Sequence, residues 1–447
     1  MSDNNTQRRA QSGPAPVSAA QRIVALDVTR GCAVLGILLL NIWSFAGPQA
    51  FFDYPPLVAD RPGASLATWA VVHTLFEGSQ RALFSILFGA GMLLLVDRLQ
   101  VLTPAVPVGR IYYRRIAILL AIGLFDAFIL LWPADILLVY GWCGLLLYPL
   151  RRLSARAFLL LGVAVMVLAA LLRMADWNEA AQLQREYQAA EASPAGSGAM
   201  APERLRSWEV RLQRAHPSLD DGRIEKSIAI ISGGSFKEFY LERAKASLIL
   251  QTVVAFNSWF LDALAAMLIG MFLLRSGVLT LEVPARSIMW LGIAGYAIGL
   301  PLAVWETVTL IGSDFDPVLK ARHLIHYDVR RVAMAFGHLG LILTLCRAMP
   351  HSGLAHRLAA VGRMALSNYL AQSVIGGFIF YSVGLGLYGR FTGYYLYVVV
   401  GLIWALQLAV SWRWLERFRF GPCEWLWRTL TYGRRQPFLR RPVAAPA

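Results

Sequence analysis

Apolar runs of membrane length, separated by short arginine-bearing loops, fill most of this chain. Roughly 20 predominantly apolar residues let an α-helix cross a bilayer. The pattern predicts helices at 26–46 and 66–96, a third reaching Trp132 before Pro133, a fourth opening at Asp135 and a fifth at 157–173. A second set follows at 247–274, then a seventh helix reaching Ile311, then 329–347, 362–388 and 394–415. Between the sets, 174–246 is polar and rich in helix formers, with a Ser/Pro/Gly break at 193–198. The expected fold class is all-α, a polytopic membrane helix bundle of about ten transmembrane helices. Its segments are a disordered tail (1–22), an N-terminal membrane half (23–173), a helical insertion (174–246), a C-terminal membrane half (247–416) and an amphipathic tail (417–447).

Polar residues inside the apolar runs carry the next inference. Asn368 and Gln372 lie four apart, on one helical face, within the ninth run. Unpaired amides in hydrocarbon cost several kcal/mol, so that face must meet partner helices or a wet cavity. Asp27 and Arg30 open the first helix, three apart, as a capping and snorkelling pair or as a binding pair, and Asn41 sits deeper. His73, Glu77 and Arg81 follow i, i+4, i+8 spacing, which on one continuous helix stacks them along a stripe. Gly89 and Gly91 suit close helix contact. Asp126, Asp135, Asn257, Asp262, Glu306, Arg330 and Arg331 complete the set. With the N-terminus in the cytoplasm, all but the Asp27/Arg30 and Asn368/Gln372 pairs fall in the outer halves of their helices. Two arrangements satisfy such charges: one outward-facing polar cavity, or separate interhelical ion pairs.

Composition agrees with the pattern: 57% of residues are hydrophobic and only 15% charged. The formal charge of +15 does not signal nucleic acid, because the arginines cluster in the loops that alternate topology assigns to the cytoplasm. That rule places both termini inside and the 174–246 insertion outside. The first apolar run is too long for a signal-peptide core and has no small-residue cleavage site. The four cysteines form no CxxC pair and read as small apolar residues. Trp425 and Trp427 among Arg419, Arg428, Arg434 and Arg435 suit a C-terminal helix lying on the headgroups, or one contacting an anionic ligand.

His73 is the candidate for general acid/base work, since imidazole titrates near neutrality and Glu77 is one turn away; hydrogen-bonded packing is the competing role. His323 and His326 stand three apart beside Asp328, a spacing too generic to assign a metal, and none is assigned. No phosphate loop, nucleophile elbow or haem motif is present.

Several stretches resemble the YeiB-like bacterial membrane proteins. They are 26–41 (LDVTRGCAVLGILLLN), 81–91 (RALFSILFGAG), 135–141 (DILLVYG), 362–372 (GRMALSNYLAQ) and 420–428 (FGPCEWLWR). The resemblance covers nearly the whole chain outside the tail and the insertion. It implies a multi-pass protein of the bacterial inner membrane whose C-terminal half is a domain of unknown function. The N-terminal half is similar to a wider superfamily of transmembrane acyltransferases, including the lysosomal heparan glucosaminide N-acetyltransferase, which pass an acyl group from cytoplasmic acyl-CoA to an acceptor on the far side. What this implies here is Asp27 and Arg30 receiving the donor, with His73, Glu77, Arg81 and Asp126 activating a small-molecule, glycan or lipid acceptor. Asn41, Asp135, Asp262, Glu306, Arg330, Arg331, Asn368 and Gln372 would line the substrate path. No cofactor is implied beyond acyl-CoA as donor substrate, and the partners are the lipid bilayer and that substrate, not nucleic acid. The chain departs from the family in carrying Asp126 where relatives often have histidine, and Ala134-Asp135 where they often have Gly-Asp. The alternative function is a transporter of a small, anionic solute.

Overall fold

Nearly every apolar run folds as helix, and no β-strand occurs among the described residues. The computed structural model describes residues 24–58, 63–102, 107–192, 200–219, 222–349 and 352–440. The tail at 1–22 and the break at 193–198 lie outside them. In the N-terminal half the helices are α1 (Val24–Ala46), α2 (Ala50–Asp53), α3 (Ala64–Phe76), α4 (Ser79–Leu102), α5 (Val108–Phe128), α6 (Leu137–Leu150) and α7 (Ala155–Ala192). The cap adds α8 (Pro202–Ala215), α9 (Gly222–Gly233) and α10 (Phe236–Ile249). A π-helical stretch, Leu250–Trp259, joins α10 to α11 (Phe260–Arg275). Then come α12 (Ala285–Gly312), α13 (Pro317–Leu324), α14 (Tyr327–Ala348), α15 (Gly353–Arg363), α16 (Ala365–Phe380), α17 (Tyr395–Arg417) and α18 (Pro422–Tyr432).

Among the described residues, seven helical segments are long and apolar enough to cross a membrane. The other three expected runs are helical too. Two of them, α6 and α16, have only 14 and 16 residues, and α5 carries Arg110, Arg114, Arg115 and Asp126.

Three boundaries differ from the sequence expectation. The run at 66–96 is broken: Glu77 leaves the helix with ψ 119°, and Gly78 takes φ +70°, a left-handed geometry that glycine adopts without the steric cost other residues bear. His73 and Arg81 therefore do not share one continuous stripe. The helix expected at 362–388 is two, α15 and α16, meeting at Met364 and ending at Phe380. The insertion is less separate than its composition suggests, because α7 runs unbroken from the bundle to Ala192 and α10 runs on through the π stretch into α11.

Within lipid, helices gain little from burying apolar side chains against each other, so close contact rests on small residues. Gly31 and Gly362 bring α1 and α15 into backbone contact: a Cβ on Gly362 would strike the Asp27 carbonyl oxygen, and one on Gly31 the Leu358 carbonyl. Gly89 faces Met267 and Gly270 faces Ile86 across α4 and α11 in the same way. Gly91 has open space instead of a helix contact. The cap is tied down by a small apolar cluster in which Ala180, Ala181 and Leu183 of α7 pack with Trp208 of α8 and Val318 and Ala321 of α13.

The amide nitrogens of Asn368 and Gln372 find partners on neighbouring helices, while Gln372 Oε1 is buried without one. Asn368 Nδ2 donates to Ser411 Oγ (2.9 Å) and Gln372 Nε2 to Gln407 Oε1 (3.1 Å) and the Val34 carbonyl (3.2 Å), while Gln407 Nε2 donates to the Asn368 carbonyl (2.8 Å). This ladder stitches α16 to α17 and α1.

Candidate functional site

Among the described residues, a cavity enters the bundle from each end. The larger, about 940 Å³, opens beneath the cap and is walled by the C-terminal half of α1, the α3–α4 turn, the Trp132–Ile136 turn, α7 and the π stretch. The smaller, about 300 Å³, lies at the other end, between the N-terminal half of α1, the C-terminal half of α4, α5, α16 and α18. The first turn of α1 and the C-terminal helix thus line one cavity, at the same end of the molecule.

Charge in the large cavity is organised around Asp262. Its Oδ1 accepts from Arg173 Nη2 (2.5 Å), its Oδ2 from Arg81 Nη2 (3.3 Å) and its carbonyl from Arg331 Nη2 (2.5 Å). Asp328 accepts from Arg173 Nη1 (2.5 Å) and Arg331 Nε (2.6 Å). Arg81 also donates to Tyr327 Oη (2.9 Å), which donates to Glu77 (3.2 Å). Three guanidiniums and three carboxylates are thereby knitted together from α4, α7, α11, α14 and the α3–α4 turn. Such a buried set holds its charge in low dielectric only because nearly every member is paired.

The small cavity is ringed by Arg30, Arg98, Arg115, Arg363 and Arg428, with Asp27 and Glu424 as its acids. Arg30 Nη1 donates to Asp27 (3.1 Å). The Arg115 guanidinium lies 3.5 Å from the Trp427 ring centre, and Trp427 Nε1 donates to the Arg115 carbonyl (3.0 Å). Glu424 caps α16, accepting from the backbone N–H groups of Leu366 (2.7 Å) and Ser367 (3.0 Å) and from Ser367 Oγ (2.5 Å). Burial pushes its carboxyl above the usual range, against the pull of these donors.

Tyr369 lines both cavities. Its hydroxyl donates to Asp135 Oδ1 (3.2 Å) and accepts from the Ile136 N–H (3.2 Å). Asp135 Oδ2 accepts from the Leu138 N–H (3.0 Å) at the start of α6, and Gln251 of the π stretch donates to the Pro133 and Asp135 carbonyls. Asp126, fully buried, lies against Asp135. Tyr369, backed by these two carboxyl groups, is thus common to the linings of both cavities and part of the septum between them.

The expected site residues divide accordingly. Asn41, Glu77, Arg81 and Asp262 line the large cavity, and Asp27 and Arg30 the small one. Asp126 and Asp135 sit behind the septum, and Arg331 behind the Asp262 network. His73, Glu306 and Arg330 form a separate buried group. His73 Nε2 is 3.8 Å from Glu306 Oε1 rather than paired to Glu77, and its Nδ1 contacts Thr307 Oγ1 (3.0 Å), with its ring stacked on Trp69. Arg330 Nε is 2.8 Å from Glu306 Oε2. Asn368 and Gln372 line neither cavity.

Four participants went unread in the sequence. Arg173 reads as an interfacial arginine because it follows a long apolar run, and Asp328 as a loop residue. Arg243, in the polar insertion, is buried and donates to the Leu131 carbonyl and Tyr381. Tyr369 reads as an ordinary packing aromatic; only its place beside Asn368 offered a signal.

Residues 273–434 match the family described as "Protein of unknown function (DUF418)". Over 443 residues, 95% of this chain and 98% of the relative, the sequence is 29% identical to an uncharacterized protein, YxaH, of Bacillus subtilis. Over 418 residues it is 30% identical to the uncharacterized protein YeiB of Escherichia coli, covering 92% of this chain and 96% of the relative. No solved structure matches.

Proposed function

The chain belongs to the YeiB-like family, and from that premise we propose that it is a transmembrane acyltransferase, taking an acyl group from acyl-CoA at one membrane face and passing it to an acceptor at the other. The observation that carries this reading is the pair of cavities meeting at Tyr369. Five arginines around the small cavity suit the phosphates of a CoA donor, and its volume suits the pantetheine arm, with the nucleotide left at the mouth. The large cavity is of the size that holds a small-molecule or sugar acceptor. In this reading the small cavity faces the cytoplasm and the capped one the outside of a bacterial inner membrane, the orientation that the arginine-bearing loops favour.

In the reaction, the acceptor's oxygen or nitrogen attacks the thioester carbonyl, the C–S bond breaks and CoA leaves as the thiol. Tyr369 is positioned to take the acceptor's proton while passing its own to Asp135, and the proton returns to the departing sulfur. Arg81 and Glu77 orient the acceptor's polar groups.

The test is thermal stabilisation of the detergent-purified protein by acyl-CoA, since a ligand that binds only the folded state raises apparent stability by mass action. Dose-dependent stabilisation that Arg30→Ala weakens and Tyr369→Phe preserves, with turnover lost in Tyr369→Phe, supports the reading. No stabilisation at millimolar acyl-CoA sinks it. The meeting of both cavities at Tyr369 also favours a second reading, a small-solute transporter in which the septum opens; solute uptake by proteoliposomes in the absence of any acyl donor would select it.

A further inference from the structure

The end of α12, α13 and the start of α14 bring together Glu306, His323 and His326. One candidate ligand atom from each lies within 4.8 Å of the others. The hydrogen-bond pattern fixes which atom His323 offers. The Thr309 hydroxyl has a single proton and donates it to the Trp305 carbonyl (2.7 Å), so toward His323 Nε2 (2.7 Å) it can only accept. His323 is then the Nε2–H tautomer, and its Nδ1 presents a bare lone pair. That atom is buried without a hydrogen-bond partner, on a side chain only 2% exposed. His326 Nε2 is likewise buried and unpartnered. Trp305 holds both rings in place, stacked on His326 with centroids 5.0 Å apart and edge-on to His323 at 4.6 Å. Glu306 stands 2.8 Å from the Arg330 guanidinium but outside hydrogen-bond alignment, so its Oε2 keeps acceptor capacity.

We propose that Glu306, His323 Nδ1 and His326 Nε2 form a binding site for a divalent transition metal of the zinc class. Two imidazoles and a carboxylate are a ligand set zinc uses, and three protein ligands leave a fourth position open. The Thr309 contact is the kind of outer-shell hydrogen bond that orients a ligating histidine. Metal–ligand bonds of about 2.0–2.1 Å require the donor atoms to close to roughly 3.3 Å, a small movement for the eight-residue α13 and the residues after it. Asp328, the acid adjacent in sequence, is not the third ligand, being committed to Arg173 and Arg331. The charge that opposes the metal is Arg330.

The experiment is metal content and Co2+ absorption of the purified full chain, read without any acyl substrate and so independent of the acyl-transfer proposal. The expected result is one Zn2+ retained per chain and, after exchange, the visible Co2+ bands of a four- or five-coordinate site. His323→Ala and His326→Ala lose both while keeping the helical circular dichroism. Thr309→Val weakens binding about 10–100-fold, and Arg330→Gln tightens it about tenfold by removing a like charge. His338→Ala, a buried histidine bonded to Tyr296 and the Leu75 carbonyl, leaves it unchanged. Wild-type protein that retains no Zn2+ at micromolar concentration overturns the proposal. So does retention that survives both histidine substitutions. If Arg330→Gln weakens Zn2+ retention, Arg330 does not oppose a bound cation as this site requires, which also overturns it.

Discussion

Asp262 accepts three hydrogen bonds from three arginines, two on its carboxylate and one on its carbonyl. Its side chain is 3% exposed, so replacing its charge leaves Arg173 and Arg81 without their shared counter-ion. Breaking a buried pair in this way costs about 3–5 kcal/mol; Arg81, a quarter exposed, recovers part of that from solvent. Asp262→Asn is therefore expected to lower the thermal midpoint in detergent by a margin that Asp262→Asn/Arg173→Gln partly restores, and a wild-type midpoint in the single variant would refute the network's role. At this scale the sequence was informative about which residues are anomalous and silent about their partners. A carboxylate in an apolar run stands out by its cost. That Arg173 meets it across 89 positions depends on how α7 packs on α11, which no local spacing encodes.

Among the elements, the break between α3 and α4 sets the mouth of the large cavity. The apolar run is interrupted there by Glu77-Gly78-Ser79-Gln80-Arg81, and Gly78, at φ +70°, makes the turn. An alanine there bears roughly 1–2 kcal/mol of left-handed strain, and its Cβ would press on the Tyr327 hydroxyl. Gly78→Ala should thus destabilise the protein and loosen the Tyr327 bridge between Arg81 and Glu77; the measurement is the thermal midpoint beside that of Gly91→Ala, whose Cβ meets nothing within 4 Å. Equal midpoints would refute the strained turn. Long apolar runs made most helices legible, because burial in lipid tolerates little else. The breaks were not: the polar stretch 77–81 reads as a stripe of functional side chains on one helix, because polar residues inside a membrane-length run can mark a site as well as a turn. Asn368 and Gln372 show the same limit: the demand for partners was readable, the choice of Ser411, Gln407 and Val34 was not.

For the whole molecule, the all-α bundle and its polar interior followed from composition and pattern, whereas the division into two cavities did not, since it arises from α1 and α4 each passing both. The candidate donor residues Asp27 and Arg30 and the acceptor-side residues Glu77 and Arg81 lie on opposite sides of Tyr369, so Arg30→Ala is expected to weaken acyl-CoA stabilisation without altering the large cavity.

That septum has an electrical consequence. Where both ends of a membrane protein admit solvent deep into the bundle, the transmembrane potential no longer falls evenly over the bilayer but is concentrated across the thin part that remains. Here that part is Tyr369, Asp135 and Asp126. One elementary charge crossing the full drop exchanges about 2.3 kcal/mol with the field per 100 mV. A proton carried past Tyr369 from one cavity to the other would feel much of it, and turnover in proteoliposomes should respond to an imposed potassium diffusion potential in wild type. A rate indifferent to voltage would mean that no charge moves across the septum during the cycle.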